Sequence, residues 1–333
     1  MASRLLATLA ATAAIAFSAG TASAQQFVMK FATLTINDVQ HEFIKMYKEE
    51  LEKVTNGRIR VEIYPAGQLG NAQRQSEGIR LGTIEAATGP GELFFGADPR
   101  FQVLAMAGLF KDKDHVRRAI VVPQIRQALD QVASSRGLIM NGIYLYDTQL
   151  FLTKTPMSKL ADFAGKRLRV LASEGEQAQV NALGGASVPM TLGEVLPALQ
   201  QGTIDGVNSG MPVFVSLKYY DAALNALDTH LWSIITISLV SQVFLDKLPA
   251  DLKKAVVDVG NTVQPKINEW QIARLKQDYA TWAEKGGKIV ELSPAEQAEA
   301  EKRSTAAIAP VLDKYPPLKE LYGKIKAGAA TVQ

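Results

Sequence analysis

An α/β fold divided between two lobes is what this sequence predicts, on three observations. Strand–helix–strand patterning occurs in two separate sets, one ending near Tyr146 and one beginning near Phe151; such alternation builds parallel or mixed sheets covered by helices. The 333-residue chain exceeds what one hydrophobic core ordinarily supports. A nearly continuous helical pattern over residues 250–284 is longer than the usual globular helix and long enough to brace both lobes.

Taken in order, the chain opens on MASRLLATLAATAAIAFSAGTASA, with Arg4 before an apolar stretch and Ala22-Ser23-Ala24 at its end. That is the pattern of a secretory signal peptide over residues 1–24, and the mature chain is expected to begin at Gln25. The apolar part is too short and too Ala-rich for a membrane span, which needs about 20 strongly apolar residues. No later run reaches that length, because residues 234–245 are interrupted by Thr236, Ser238, Ser241 and Gln242. A soluble, exported protein is therefore expected.

FVMKFA at 27–32 alternates as a strand, and Phe43, Met46, Tyr47, Leu51 and Val54 mark an amphipathic helix over 42–55. Asn56-Gly57 supplies a left-handed stop, and RIRVEIY at 58–64 is the next strand, ended by Pro65. A helix over 71–81, a short buried strand over 84–87 and a Gly89-Pro90-Gly91 loop follow; a loop at a strand end is where α/β ligand sites usually lie. Helical spacing over 115–134 leads to a strand over 138–146. The second set predicts strands at 167–172, 188–190 and 204–207 and helices at 174–183 and 192–201, the first of these stopped by Gly184-Gly185. The Ala-rich tail, 294–327, is also helical.

With 36 basic and 33 acidic residues the formal charge is +3, falling to +2 on loss of Arg4. So weak an excess, spread along the chain, gives no reason to expect nucleic acid or an anionic membrane surface as partner. The chain has no Cys, which excludes disulfides, thiol chemistry and Cys-ligated metals. His41, His115 and His230 are isolated, with no metal-ligand spacing. There is no Gly-x-Ser-x-Gly elbow, no phosphate-binding Gly-Lys loop and no Gly-x-Gly-x-x-Gly turn. Most acids alternate with Lys and Arg at helical spacing, as solvated faces do. No cofactor or metal is expected, and no catalysis.

Two stretches are more specific. The first runs Thr55-Asn56-Gly57-Arg58-Ile59, Tyr64-Pro65-Ala66-Gly67-Gln68-Leu69-Gly70 and Gly82-Thr83-Ile84-Glu85. The second runs Gly165-Lys166-Arg167-Leu168-Arg169-Val170, Pro189-Met190, Glu194-Val195, Ala198-Leu199-Gln200-Gln201-Gly202 and Ile204-Asp205-Gly206, with Leu248-Pro249-Ala250-Asp251-Leu252 later. In this order, over the whole mature chain, they resemble the solute-binding proteins of tripartite ATP-independent periplasmic (TRAP) transporters. The resemblance implies a two-lobed periplasmic-binding-protein fold with crossing strands, a hinge and a long bracing helix. Lobe I would comprise residues 25–148 and about 236–275, lobe II residues 149–235 and about 276–333. It implies a periplasmic subunit that captures a small organic carboxylate and delivers it to TRAP membrane subunits. A monomer is expected rather than a dimer, although some relatives of the family pair. The alternatives are a periplasmic enzyme acting on a small carboxylate through acids such as Glu92 and Glu194, and a binding protein that signals to a receptor.

The family's central arginine matches Arg169. A guanidinium suits the role because its planar fork donates two parallel hydrogen bonds to a carboxylate. Arg167 shares the strand face, and spacing alone does not choose between them. The family's neighbouring amide points to Asn208 or Ser209. Sialic-acid-binding relatives carry a second arginine where this chain has Gln149 or Thr148, and an acid and an arginine where it has Pro90 and Leu93. Fewer fixed charges predict a smaller or more apolar carboxylate, walled by Phe94, Tyr146, Phe214 and Trp232, with Glu92 available to a ligand hydroxyl or amine.

Overall fold

The computed structural model describes residues 27–332, so the expected signal peptide lies outside the described residues. Strands β1 (Phe27–Ala32) and β2 (Ile59–Tyr64) flank helix α1 (Val39–Val54) and pair in parallel, Phe27 opposite Ile59 and Ala32 opposite Tyr64. α1 starts earlier than its apolar spacing suggests, because the Asp38 side chain accepts from the backbone N–H of Gln40 and His41, satisfying donors that a helix start leaves open. Asn56 and Gly57, with φ of 51° and 75°, turn the chain out of α1.

After α2 (Ala72–Leu81) comes β3 (Ala86–Pro90). Gly89 and Pro90 were expected in a loop, yet they pair with Ile237 and Thr236 at the end of β3; a proline can close a strand where its missing N–H is not needed. Only Gly91 leaves the sheet, opening a 3₁₀ turn at Gly91–Phe94. The single helix expected over 115–134 is two, α3 (Lys113–Ala119) and α4 (Pro123–Ser134), because the residue before a proline is driven out of the helical region and Val122 takes φ −61°, ψ 129°.

β4 (Leu138–Thr153) is followed by β5 (Arg167–Val170), α5 (Glu174–Leu183), β6 (Ala186–Pro189), α6 (Leu192–Gln201), β7 (Gly206–Ser209) and α7 (Met211–Ser216). Then come β8 (Asn225–Ser241), α8 (Gln242–Leu245), α9 (Ala250–Glu284), β9 (Lys288–Glu291), α10 (Pro294–Lys314) and α11 (Pro316–Ala330). All nine described strands form one sheet in the order β2-β1-β3-β8-β4-β7-β5-β6, with β9 also beside β8.

Two strands carry the sheet from lobe to lobe. β4 and β8, antiparallel and 16 and 17 residues long, pair with each other along their length. The C-terminal half of β8 holds β3, its N-terminal end holds β9, and the C-terminal end of β4 holds β7. Midway their ladder loses register between Leu145 and Asp147 and again between Thr148 and Leu150. Opposite, between Asp228 and Ser233, His230 sits at φ 49°. Such irregularities bend a ribbon and leave residues unpaired, and here they mark the passage between lobes.

α9 braces that passage. Its 35 residues extend ~52 Å at 1.5 Å each, packing on α1 in lobe I and α7 in lobe II. Gln264 Oε1 accepts from Ile143 N–H (3.1 Å) and Gln271 donates to the Tyr146 carbonyl (2.9 Å), tying α9 to β4 beside the break in the ladder. At Gly260 the helix touches the strand so closely that a Cβ would lie 1.6 Å from the Asn141 carbonyl oxygen. The tail divides: α10 packs on α5 in lobe II, whereas α11, expected with lobe II, returns to lobe I. There Leu318, Leu321 and Ile325 join the core of Ile125 and Leu129 from α4, because the Tyr315-Pro316 corner lets α11 fold back.

Candidate functional site

β5 sorts the two arginines. Arg167, at its exposed start, pairs with Asp205 (Nε–Oδ2 2.9 Å, Nη2–Oδ1 3.0 Å) and donates to the Gly202 carbonyl at 2.6 Å. Arg169 is buried, 1% exposed. Its Nε donates to the Met190 carbonyl at 2.9 Å and its Nη1 to the Asn208 carbonyl at 3.5 Å, while Nη2 has no partner. Burial lowers its pKa and the Glu176 carboxylate opposes that fall.

Arg169 stands between a cleft of about 800 Å³ and an inner recess of about 30 Å³. The cleft runs between the lobes, with Leu34, Glu77, Arg80 and Phe95 from lobe I facing Leu171, Met190 and Glu194 from lobe II. The recess brings together six of the side chains singled out from sequence: Arg169, Asn208, Ser209, Gln149, Glu92 and Tyr146. Asn208 and Ser209 end β7, and neither the amide oxygen nor the amide nitrogen of Asn208 has a partner. Gln149 faces the recess with its Oε1 unpaired, whereas Thr148 lines a separate cavity. Tyr146 donates to Asp38 Oδ2 at 2.8 Å, linking β4 to the cap of α1.

Glu92 enters from the 3₁₀ turn after β3, 3% exposed and with both oxygens unpaired. Burial, reinforced by the nearby Glu176, pushes its pKa up to about 8. Glu176 was not anticipated. Ser173 caps α5 by accepting from Glu176 N–H at 3.2 Å, and Ser-x-x-Glu is an ordinary helix-start signature, so the sequence presents this acid as a cap. Its carboxylate does not reach back to the cap. Oε2 accepts from Leu171 N–H at 2.8 Å and Oε1 is unpaired. Burial pushes it up to about 7 against the opposing pull of Arg169, Leu171 N–H and Gln149.

Three expected wall residues lie elsewhere. Phe94 packs edge-on against Phe101 in the lobe I core, ring centres 6.1 Å apart; residues two apart on a 3₁₀ turn point to different sides, so Glu92 and Phe94 cannot share the recess. Phe214 packs on Tyr219 and Trp282, one helical step of ~100° round from Val213, which does line the recess. Trp232 lies against Phe151 beside a second cavity of about 400 Å³; the broken alternation of β8 separates it from Ile234, which faces the recess. The expectation of a largely apolar wall is thus corrected: Leu34, Leu93, Leu171, Leu192, Val213 and Ile234 share the recess with two buried acids. Among the described residues no group of His, Asp or Glu is placed to hold a metal ion.

Residues 31–315 match the family described as bacterial extracellular solute-binding protein, family 7. The chain belongs to that family. It is a TRAP-type solute-binding protein, as the motifs around Arg169 imply. It is 27% identical over 267 residues to the C4-dicarboxylate-binding periplasmic protein DctP of Rhodobacter capsulatus, spanning 77% of this chain and 79% of that one. Among solved structures, a TRAP periplasmic solute-binding protein from Desulfovibrio salexigens with bound orotic acid superposes with a TM-score of 0.83 at 22% identity, covering 91% of this chain and 99% of that one. One from Haemophilus influenzae with bound L-gulonate superposes with a TM-score of 0.85 at 23% identity, covering 91% and 99%. The two-lobed fold is shared with both.

Proposed function

We propose that this protein works in the periplasm as a monomer, capturing a small organic carboxylate between its lobes and delivering it unchanged to TRAP membrane subunits. The observation that carries the reading is the Arg169 guanidinium, buried at the cleft with Nη2 unpaired. A buried charged donor without a partner is costly, and a ligand carboxylate satisfies it with charge-assisted hydrogen bonds. Asn208 lies beside it to receive the second carboxylate oxygen. Solved relatives with bound orotic acid and L-gulonate support an acid as ligand.

Closure follows from the connections. The lobes are joined by β4 and β8 at their irregular midpoint and by α9, so they can rotate as bodies about a hinge. Asp147 lies at that point, its Oδ1 2.7 Å from Lys113 Nζ in lobe I and its Oδ2 accepting from Met211 N–H in lobe II at 3.0 Å. Among the described residues of the recess, the Ser209 and Thr35 hydroxyls have no histidine beside them to activate them, which supports a site that holds and releases its ligand. Incubation with a bound acid, followed by mass spectrometry of the released ligand, tests this: unchanged ligand is expected, and a converted product would establish an enzyme.

A further inference from the structure

The recess beside Arg169 holds more acceptors than the carboxylate end of a ligand can use. A carboxylate needs donors, and Arg169 Nη2 and Asn208 Nδ2 stand there without partners. Around them are five buried oxygens without a hydrogen bond of good geometry: both of Glu92, Oε1 of Gln149, Oδ1 of Asn208 and Oε1 of Glu176, whose carboxyl already draws on the Gln149 amide. They come from four places in the fold, the turn after β3, the start of α5, the middle of β4 and the end of β7. Arg169 is the one basic side chain among the described residues lining the recess.

This arrangement discriminates between classes of acid. A dicarboxylate brings a second anionic group into a recess whose single cation is already engaged and whose remaining groups are oxygens, two of them carboxyl pairs. An unsubstituted alkanoate offers those buried oxygens no donor and leaves them to the one or so water molecules that a recess of about 30 Å³ admits. One ammonium group is too compact to reach oxygens on four elements, whereas hydroxyls spread along a carbon chain can donate to several.

Resting on the carboxylate reading above, we propose that Glu92 and Glu176 form an acidic filter that selects a monocarboxylate bearing several hydroxyl groups and rejects dicarboxylates. Burial raises both carboxyls, Glu92 to about 8 and Glu176 to about 7, and a carboxyl that keeps its proton can donate to a hydroxyl as well as accept from one. The titratable groups facing the pair are Arg169 from β5 and Tyr146 from β4, with Asp38 behind Tyr146, and, across the outer cleft, Glu77 and Arg80 from α2 and Glu194 from α6. Arg80 belongs to the outer cleft, where Glu77 and Glu194 accompany it, and no second cation lines the recess itself. The filter separates this chain from the C4-dicarboxylate-binding relative, whose name states a dicarboxylate ligand.

The test is isothermal titration of the full mature protein against matched acids of three to six carbons. For each length the set comprises the alkanoate, the α,ω-dicarboxylate and the polyhydroxy monocarboxylates, including uronates, in their common epimers. The filter predicts that the tightest ligand is a hydroxylated monocarboxylate, at least tenfold tighter than the dicarboxylate and the alkanoate of equal length. A dicarboxylate or a plain alkanoate as tightest ligand overturns the filter and leaves carboxylate capture standing. No binding by any acid overturns both. Measured at pH 9, above the values to which burial raises both carboxyls, Glu92→Gln and Glu176→Gln keep shape and remove charge, so the affinity of a dicarboxylate relative to the hydroxy acid should rise at least tenfold in one or both; an unchanged ratio in folded variants overturns the assignment. Should neither variant fold, the wild-type panel decides.

Discussion

Replacing Glu92 by Gln should stabilise the protein at neutral and mildly alkaline pH. The Glu92 carboxyl is enclosed, both oxygens are unpaired, and its pKa is pushed up to about 8, against an ordinary glutamate value of about 4.3. A carboxyl whose pKa rises on folding keeps its proton in the native chain after the unfolded chain has lost it. Stability therefore falls as pH climbs between the two values and is unaffected by this group below both. Each pH unit in that window removes ~1.4 kcal/mol, so on the order of 3 kcal/mol has gone by pH 7, and the loss levels off above about pH 8. Gln is neutral throughout but brings an amide that also wants a partner, which offsets part of the gain. The variant should fall slightly below wild type near pH 4.5, where only the amide's cost shows, and exceed it by ~2–3 kcal/mol at pH 7.5, roughly 3–5 °C in Tm for a chain of this size. Thermal melts of both proteins across pH, followed by circular dichroism without added ligand, read that difference directly. Glu176, also raised by burial, repels Glu92, so part of the difference reports relief of that repulsion. A difference independent of pH, or a variant less stable at pH 7.5, would show that Glu92 is ionised and partnered.

Three further outcomes follow from particular contacts. Gly260→Ala should destabilise by on the order of 3 kcal/mol, because its Cβ would meet the Asn141 carbonyl at 1.6 Å and α9 must lift from β4; urea unfolding unchanged within 0.5 kcal/mol would contradict that packing. Asp147→Ala should cost roughly 2–4 kcal/mol, since it strips a buried acid from both Lys113 and Met211 N–H; the same denaturation assay checks it, with no change as the contrary result. Arg167→Ala should cost less than about 1 kcal/mol, as exposed pairs usually do, and leave ligand affinity within about twofold, because Arg167 spends its fork on Asp205. A large loss of affinity there would mean that the two arginines of β5 are wrongly sorted.

Much of the fold was legible because local signals and burial agreed. α9 falls on the residues 250–284 that its helical pattern marks, and Gly184, at φ 107°, ends α5 as its position after Leu183 suggests. The crossing strands were the weak point. Residues 231–241 of β8 are buried throughout, and a strand covered on both faces shows no alternation to read, so β8 was not placed from the sequence and the family resemblance implied crossing strands only in general. The division of α3 from α4 was written in Pro123 but hidden by continuous apolar spacing. Around the recess, motif position pointed to Arg169, to Asn208 or Ser209, and to Gln149 or Thr148, and of these only Thr148 faces another cavity. Glu176 did not, because its capping signature explains it locally and nothing local says that its carboxylate turns inward. Phe94, Phe214 and Trp232 show the converse error: an aromatic near a cleft in sequence is more often part of a core, and its direction depends on a turn or bulge of one residue.

Titration of wild type, Arg169→Lys and Arg169→Ala with the tightest acid found tests the central claim most directly. Two charge-assisted hydrogen bonds at ~1.5–3 kcal/mol each predict a loss of at least about 100-fold on Arg169→Ala, in a protein that still melts cooperatively. Lysine, a point charge without the fork, should recover only part of it. Full affinity in folded Arg169→Ala would contradict the account, because the carboxylate would then be held elsewhere in the cleft.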